Sequence, residues 1–122
     1  MTRLFDASAV LAILFDEPGC NVARELLAGS GVSAVNAAEV VHKLVLKGLP
    51  VEAALESFET LDFIIVPFGR VEYRQTLNYS HTGLSLGDRA CLATAEVHKV
   101  DAVTADRSWS RLGSHVRILG IR

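Results

Sequence analysis

The sequence predicts an α/β fold, a three-layer α/β/α sandwich around a mostly parallel central sheet of about five strands. Three observations predict it. Short β-rich runs alternate along the chain with longer segments of helical periodicity. Strand-like runs such as Phe63-Ile64-Ile65-Val66 are apolar on both faces, the pattern of a parallel strand covered by helices on each side. At 122 residues, 50% of them hydrophobic, the chain can bury one continuous core without disulfide or metal staples. A single domain spanning residues 1–122 is therefore expected, and no repeat, low-complexity tract or linker interrupts it.

The first strand is expected over Arg3–Phe5, followed by the apolar run Ala7–Phe15. Glu17-Pro18-Gly19 reads as a loop between helices. A second strand, Val32–Val35, leads into a helix that opens near Asn36 and has ended by Gly48. The Pro50–Leu61 helix is marked by a first-turn proline and by Val51, Ala54, Leu55, Phe58 and Leu61 at three- and four-residue spacing. The remaining strands are expected over Phe63–Val66, Ala102–Thr104 and Val116–Leu119. Ser80-His81-Thr82-Gly83 reads as another loop. The helix after Gly87 is small and apolar almost throughout, so it should be buried, and Asp88 at its start is then costly unless something uses it.

Composition narrows the function classes. Cys20 and Cys91 show neither C-x-x-C spacing nor a neighbouring histidine, so they read as free thiols rather than a zinc site or redox pair. No stretch approaches the roughly 20 apolar residues that cross a bilayer, and Ala7–Phe15 lacks a basic leader, so a cytoplasmic location and no membrane partner are expected. A net charge of −2 argues against a uniformly basic nucleic-acid-binding surface. A polyanion would have to be met locally, as it can be where a bound divalent cation inverts the sign of an acidic cleft.

Four acids stand where such a cleft would form. In open parallel sheets ligands bind beyond the carboxyl ends of the strands. Asp6 directly follows the first strand, and Asp106 follows Ala102-Val103-Thr104-Ala105. Glu39 falls in the first turn of the helix opened near Asn36, and Asp88 opens the buried helix. Each has a simpler reading: Asp6 and Asp106 as caps, and Asn36-Ala37-Ala38-Glu39 and Ser85-Leu86-Gly87-Asp88 as capping boxes. Singly, capping is favoured; together the four would repel one another, and capping explains neither their number nor their shared location. A hard cation resolves the conflict, because Mg²⁺ takes oxygen ligands and keeps several waters. Ser8 and Thr104 are candidates to orient a carboxylate or a metal-bound water, with a local backbone hydrogen bond as the alternative for each.

These residues resemble the PIN-domain family, in particular its VapC-type toxin group. The resembling stretches are Phe5-Asp6-Ala7-Ser8-Ala9, Asn36-Ala37-Ala38-Glu39-Val40, the block Leu84–Ala93, and Val103-Thr104-Ala105-Asp106-Arg107. They occur in the family's order and span essentially the whole chain. The resemblance implies a PIN-like fold, metal-dependent endonucleolytic cleavage of RNA, a cognate antitoxin that holds the toxin inactive, and a homodimer. It implies Asp6, Glu39, Asp88 and Asp106 as catalytic and metal-binding residues, with Mg²⁺ as the cofactor and Mn²⁺ as an alternative ion. Many members carry Ser or Thr near the position of Asn36, and the substitution leaves Glu39 intact.

The expected reaction is metal-assisted phosphodiester hydrolysis, with Asp6 and Asp88 as first choices for direct ligands. Asp106 and Glu39 would complete the shell, bind a second ion or position the attacking water. Arg89 and Arg107 each follow a candidate acid and are candidates to clamp RNA phosphate; a salt bridge to neighbouring acids or a solvated face is an equal reading. His42 and His98 carry no special role. The apolar faces around Val10–Leu14 and Val40–Leu46 could line a groove for a partner segment, although such faces more often form core. The competing reading is a non-toxic PIN nuclease or a catalytically silent module that binds RNA or protein. A haloacid-dehalogenase phosphatase would need an acid at Ser8, and a receiver would need one at the end of the third strand, which runs into Val66-Pro67.

Overall fold

The computed structural model describes residues 1–122. In chain order the elements are β1 (Arg3–Phe5), α1 (Ala7–Leu14), α2 (Cys20–Leu26), β2 (Gly31–Ser33), α3 (Ala34–Leu46), α4 (Val51–Glu59) and β3 (Ile64–Val66). Then come α5 (Arg70–Gln75), a 3₁₀ turn (Thr76–Tyr79), α6 (Leu86–His98), β4 (Asp101–Thr104), a second 3₁₀ turn (Arg107–Arg111) and β5 (Ile118–Gly120). The strands form one five-stranded sheet in the order β3-β2-β1-β4-β5, and every neighbouring pair is parallel. No helix is long and apolar enough to cross a membrane.

Side-chain alternation along the central strands makes the sandwich. In β1, Leu4 enters one hydrophobic cluster and Phe5 the other; in β4, Ala102 and Val103 divide in the same way. The Phe5 and Val103 face is covered by α1 to α4, through residues such as Val10, Ala23, Leu44 and Phe58. The Leu4 and Ala102 face is covered by α6 and the two 3₁₀ turns, through Leu92, Ala95, Tyr79 and Trp109. The three layers follow from these two faces.

Four expectations from the sequence need correction. Val35 and Ala34 belong to α3 rather than to β2, because the Ser33 hydroxyl accepts the Val35 amide proton and caps the helix there. Asn36 is consequently a first-turn helical residue and not a cap, and Glu39 lies one turn further in. The apolar run of β3 is not covered on both sides: β3 is an edge strand, and Ile64 and Ile65 are 47% and 48% exposed. Likewise Pro50 caps α4, whose Ala54 and Phe58 are buried while Val51 and Leu55 face outward. The last strand begins two residues later than expected, at Ile118.

Candidate active site

The strand order reverses between β1 and β4: from β1 the chain builds outward through β2 and β3, then returns to place β4 on the other side. In parallel α/β sheets the crevice at such a reversal, beyond the carboxyl ends of the strands, is where ligands bind. Asp6 and Asp106 both emerge there. The register Phe5↔Val103 puts the two strand ends side by side, and the Asp6 amide continues the ladder by donating to the Val103 carbonyl at 2.9 Å.

Asp6 is clamped. Its side chain is 3% exposed. Oδ1 accepts from the Ala9 amide at 2.8 Å, capping α1, and from Ser8 Oγ at 2.7 Å; Oδ2 accepts from Thr104 Oγ1 at 2.6 Å. Ser8 Oγ in turn accepts from the Ala105 amide at 2.9 Å, and Thr104 Oγ1 from the Asp106 amide at 3.0 Å. Ser8 and Thr104 therefore orient a carboxylate and also tie the end of β1 to the loop after β4. Burial pushes the Asp6 carboxyl up from 3.8 to about 6; the three hydrogen bonds oppose that rise and the charge of Asp88 adds to it.

Asp88 sits in the first turn of α6, where Ser85 Oγ accepts its backbone N–H at 3.2 Å and caps the helix. Its half-buried carboxylate is in no ion pair. Desolvation raises its pKa; the Ser85 hydroxyl beside it opposes this, Asp106 and Glu39 push it further up, and Lys43 pulls it down. Asp88 thus feels all three other acids. Asp106 is exposed and uses Oδ1 to cap the following 3₁₀ turn, accepting from the Ser108 amide at 2.9 Å and hydroxyl at 2.7 Å. Glu39 reaches the cluster from α3, where Asn36 Nδ2 donates to its Oε1 at 2.7 Å.

All four acids predicted from the sequence are brought to one end of the sheet, yet no three of them are drawn together closely enough to form a ready-made cation cage. The donor chemistry nonetheless fits a hard divalent ion. The set is all carboxylate oxygen, it includes a half-buried acid in no ion pair, and two of its members are held above their usual pKa by surroundings that penalise their charge. Cys91, one turn beyond Asp88 and fully buried, has its thiol pushed far up by burial and then by Asp6, Asp88 and Glu39, so it contributes no thiolate here.

Neither candidate arginine is paired with an acid. The molecule's two ion pairs are Arg24–Asp16 and Arg117–Asp101. Arg107 is exposed, whereas Arg89 is half-buried with its Nε out of contact with water and without a hydrogen-bond partner. The salt-bridge reading of both is thereby removed. Lys43 faces Asp88, and the Glu39 carboxylate rests on Gly87, a residue that sequence reasoning passed over. A glycine inside the first turn of a helix, where alanine is the better former, was the available signal for it.

Between α1 and α3, a cavity of 670 Å³ opens beside Ser8, lined by Leu11, Phe15, Glu17, Lys43, Leu46 and Lys47. The apolar helical faces singled out from sequence therefore divide. Val10, Val40 and Leu44 are core, Leu11 is buried in the same core yet borders the groove, and Phe15 and Leu46 line the groove from exposed positions, with Leu46 70% exposed.

The chain belongs to the PIN-domain family: the family model for the PIN domain matches residues 3–114. Among solved structures it is similar to a toxin–antitoxin complex from Klebsiella pneumoniae, at TM-score 0.79 and 16% identity over 99% of this chain and 98% of the other. It is also similar to FitAcB from Neisseria gonorrhoeae, at TM-score 0.73 and 22% identity over 98% of each chain. A third is the Mycobacterium tuberculosis toxin VapC20, described as cleaving the sarcin–ricin loop, at TM-score 0.74 and 17% identity over 95% of this chain and 99% of that one. At these identities the likeness is one of fold. No curated protein matches the chain.

Proposed function

We propose that this chain, a single PIN domain, is a divalent-metal-dependent endoribonuclease that hydrolyses RNA phosphodiester bonds and serves as the toxin of a toxin–antitoxin pair. The observation that carries the reading is Asp88. A half-buried carboxylate in no ion pair, raised in pKa by desolvation and then by the acids around it, is a group whose charge a bound cation would compensate. Asp88 and Asp106 offer free carboxylate oxygens, Asp6 supplies a fixed negative wall held by Ser8 and Thr104, and Glu39 stands across from Asp88 on α3. Mg²⁺, or Mn²⁺ in its place, would supply activation of water and neutralisation of charge on the phosphate when bound. Arg107 and the unpaired Arg89 are suited to phosphate oxygens on either side of the acids. The similarities to a toxin–antitoxin complex and to a toxin that cleaves the sarcin–ricin loop support RNA as substrate and a cognate antitoxin as partner.

The groove beside Ser8 supports the second half of the reading. Leu11, Phe15 and Leu46 give it an apolar floor, and its lining includes Ser8, which holds the Asp6 carboxylate, so an amphipathic antitoxin segment lying in it would sit next to the acids. The family resemblance further implies a homodimer. A silent binding module is kept as a second reading by one observation, that no three acids form a closed cage.

Induced expression of the wild-type chain and of Asp6→Asn in one host, with total RNA examined for new 5′ ends, separates these readings. Growth arrest with new RNA ends for the wild type alone is the expected result. Harmless expression of both soluble, folded proteins would favour the silent or non-toxic module.

A further inference from the structure

Resting on the metal-site reading above, we infer that Asn36 is a positioning residue that sets the Glu39 carboxylate relative to Asp88, with Gly87 as the seat on which that carboxylate rests. Neither Asn36 nor Gly87 is required by that reading itself.

Asn36 is 1% exposed on the inner face of α3. Its Nδ2 donates twice, to Glu39 Oε1 at 2.7 Å and to the Gly87 carbonyl at 3.0 Å. Both neighbours are acceptors only, so the amide can sit in no other orientation; a flip would set oxygen against oxygen. The consequence is that Oδ1 is buried with no hydrogen-bond partner. An unanswered buried acceptor costs stability, and the arrangement leaves it so while directing both amide protons at the site. A serine or threonine in the same place has one proton to donate and could serve one of the two acceptors.

The two acceptors lie on different helices. Glu39 belongs to α3, whereas Gly87 precedes Asp88 in the first turn of α6. One side chain therefore ties the backbone beside Asp88 to the carboxylate of Glu39, across 51 residues of sequence. Gly87 completes the arrangement from below. A Cβ built there would collide with the Glu39 carboxylate, although the residue is helical and its backbone angle is one that alanine adopts freely. The glycine is thus explained by the space Glu39 needs rather than by backbone geometry. Two acids that repel one another are held at a set separation by a strut and a seat, both of which act through Glu39.

Isothermal titration with Mn²⁺ tests this on the metal-free protein. Asn36→Ala and Gly87→Ala should each weaken Mn²⁺ binding by about 10-fold or more, the usual range for loss of a partner that orients a ligand. In a Glu39→Gln background, both effects should shrink to within about 2-fold, since the carboxylate they position is gone. Gly87→Ala retains Asn36 and improves helix propensity, so it tests the idea even where Asn36→Ala unfolds. Wild-type affinity in either folded single variant, or undiminished losses in the Glu39→Gln background, would overturn the inference while leaving the metal site intact. Unchanged affinity in Glu39→Gln itself would overturn the assignment of Glu39 as a ligand, and this inference with it.

Discussion

Asp88→Asn is expected to abolish metal-dependent RNA cleavage, lowering the single-turnover rate by roughly 1,000-fold, because the several kcal/mol of charge stabilisation that a bound cation contributes depend on its anchoring charge. The substitution keeps the size of the side chain and removes only that charge. The effect should exceed that of any other single acid, since Asp88 lies within reach of Asp106 and Glu39 and its charge is felt at Asp6. The Ser85 cap on the Asp88 amide is a backbone contact and survives, so the fold is retained. Relief of repulsion among the acids should leave thermal stability in chelator equal to or above that of the wild type. Full Mg²⁺-dependent cleavage by a preparation free of contaminating nuclease would show that the reaction does not run through this site.

Asp6→Asn should separate stability from activity more sharply. Burial holds the Asp6 carboxyl at about 6 against an ordinary 3.8, so between these values the native protein binds a proton that the unfolded chain has released. This group's contribution to stability is then greatest below about pH 4 and is lost as pH rises through 6, the reverse of a salt-bridged aspartate. A carboxyl held that far above its unfolded value costs the metal-free protein about 3 kcal/mol by neutral pH. The amide variant carries no charge to desolvate. It also fits the contacts: Oδ1 keeps the Ala9 amide and Ser8, and Thr104 can turn its proton toward Ser8 Oγ, 3.3 Å away, and accept from the new Nδ2. In chelator at pH 7.5, Asp6→Asn should therefore be more stable than the wild type by roughly 1–3 kcal/mol, while at pH 4 the two converge. Urea titrations at the two pH values measure this. A variant less stable than the wild type at both would mean that the hydrogen-bonded carboxylate is worth more than its desolvation costs. Added Mg²⁺ should narrow the gap from the other side, since it stabilises only the protein that binds it.

The positions of all four acids were legible, Glu39 from its place in the helix after the second strand and the others from chain direction and helix composition. Asp6 and Asp106 come directly after strands, and Asp88 interrupts an otherwise apolar helix. The three layers were read from strands apolar on both faces such as Phe63–Val66, yet it is the central β1, whose Leu4 and Phe5 enter opposite clusters, that is covered on both sides. What resisted reading depended on single hydrogen bonds or on strand order. The start of α3 is decided by the Ser33 hydroxyl, and Ala34-Val35 suits a strand as well as a helix until that bond is seen. The exposure of Ile64 and Ile65 depends on β3 lying at the sheet edge, and no local pattern marks an edge. The anchor of Glu39 joins residues 36 and 87, a contact that only the folded chain supplies.

The burial of Cys91 beneath the acids has a practical consequence. Its thiol is shut away from solvent and held protonated, whereas Cys20 is partly open at the start of α2. A thiol-modifying reagent should consume Cys20 at once and Cys91 only when α6 lifts from the sheet, because the thiolate is the reacting form. The second labelling rate then counts how often this end of the molecule opens. Slowing of that rate by divalent ions would register occupancy of the acids directly above, with no RNA in the tube and no residue replaced.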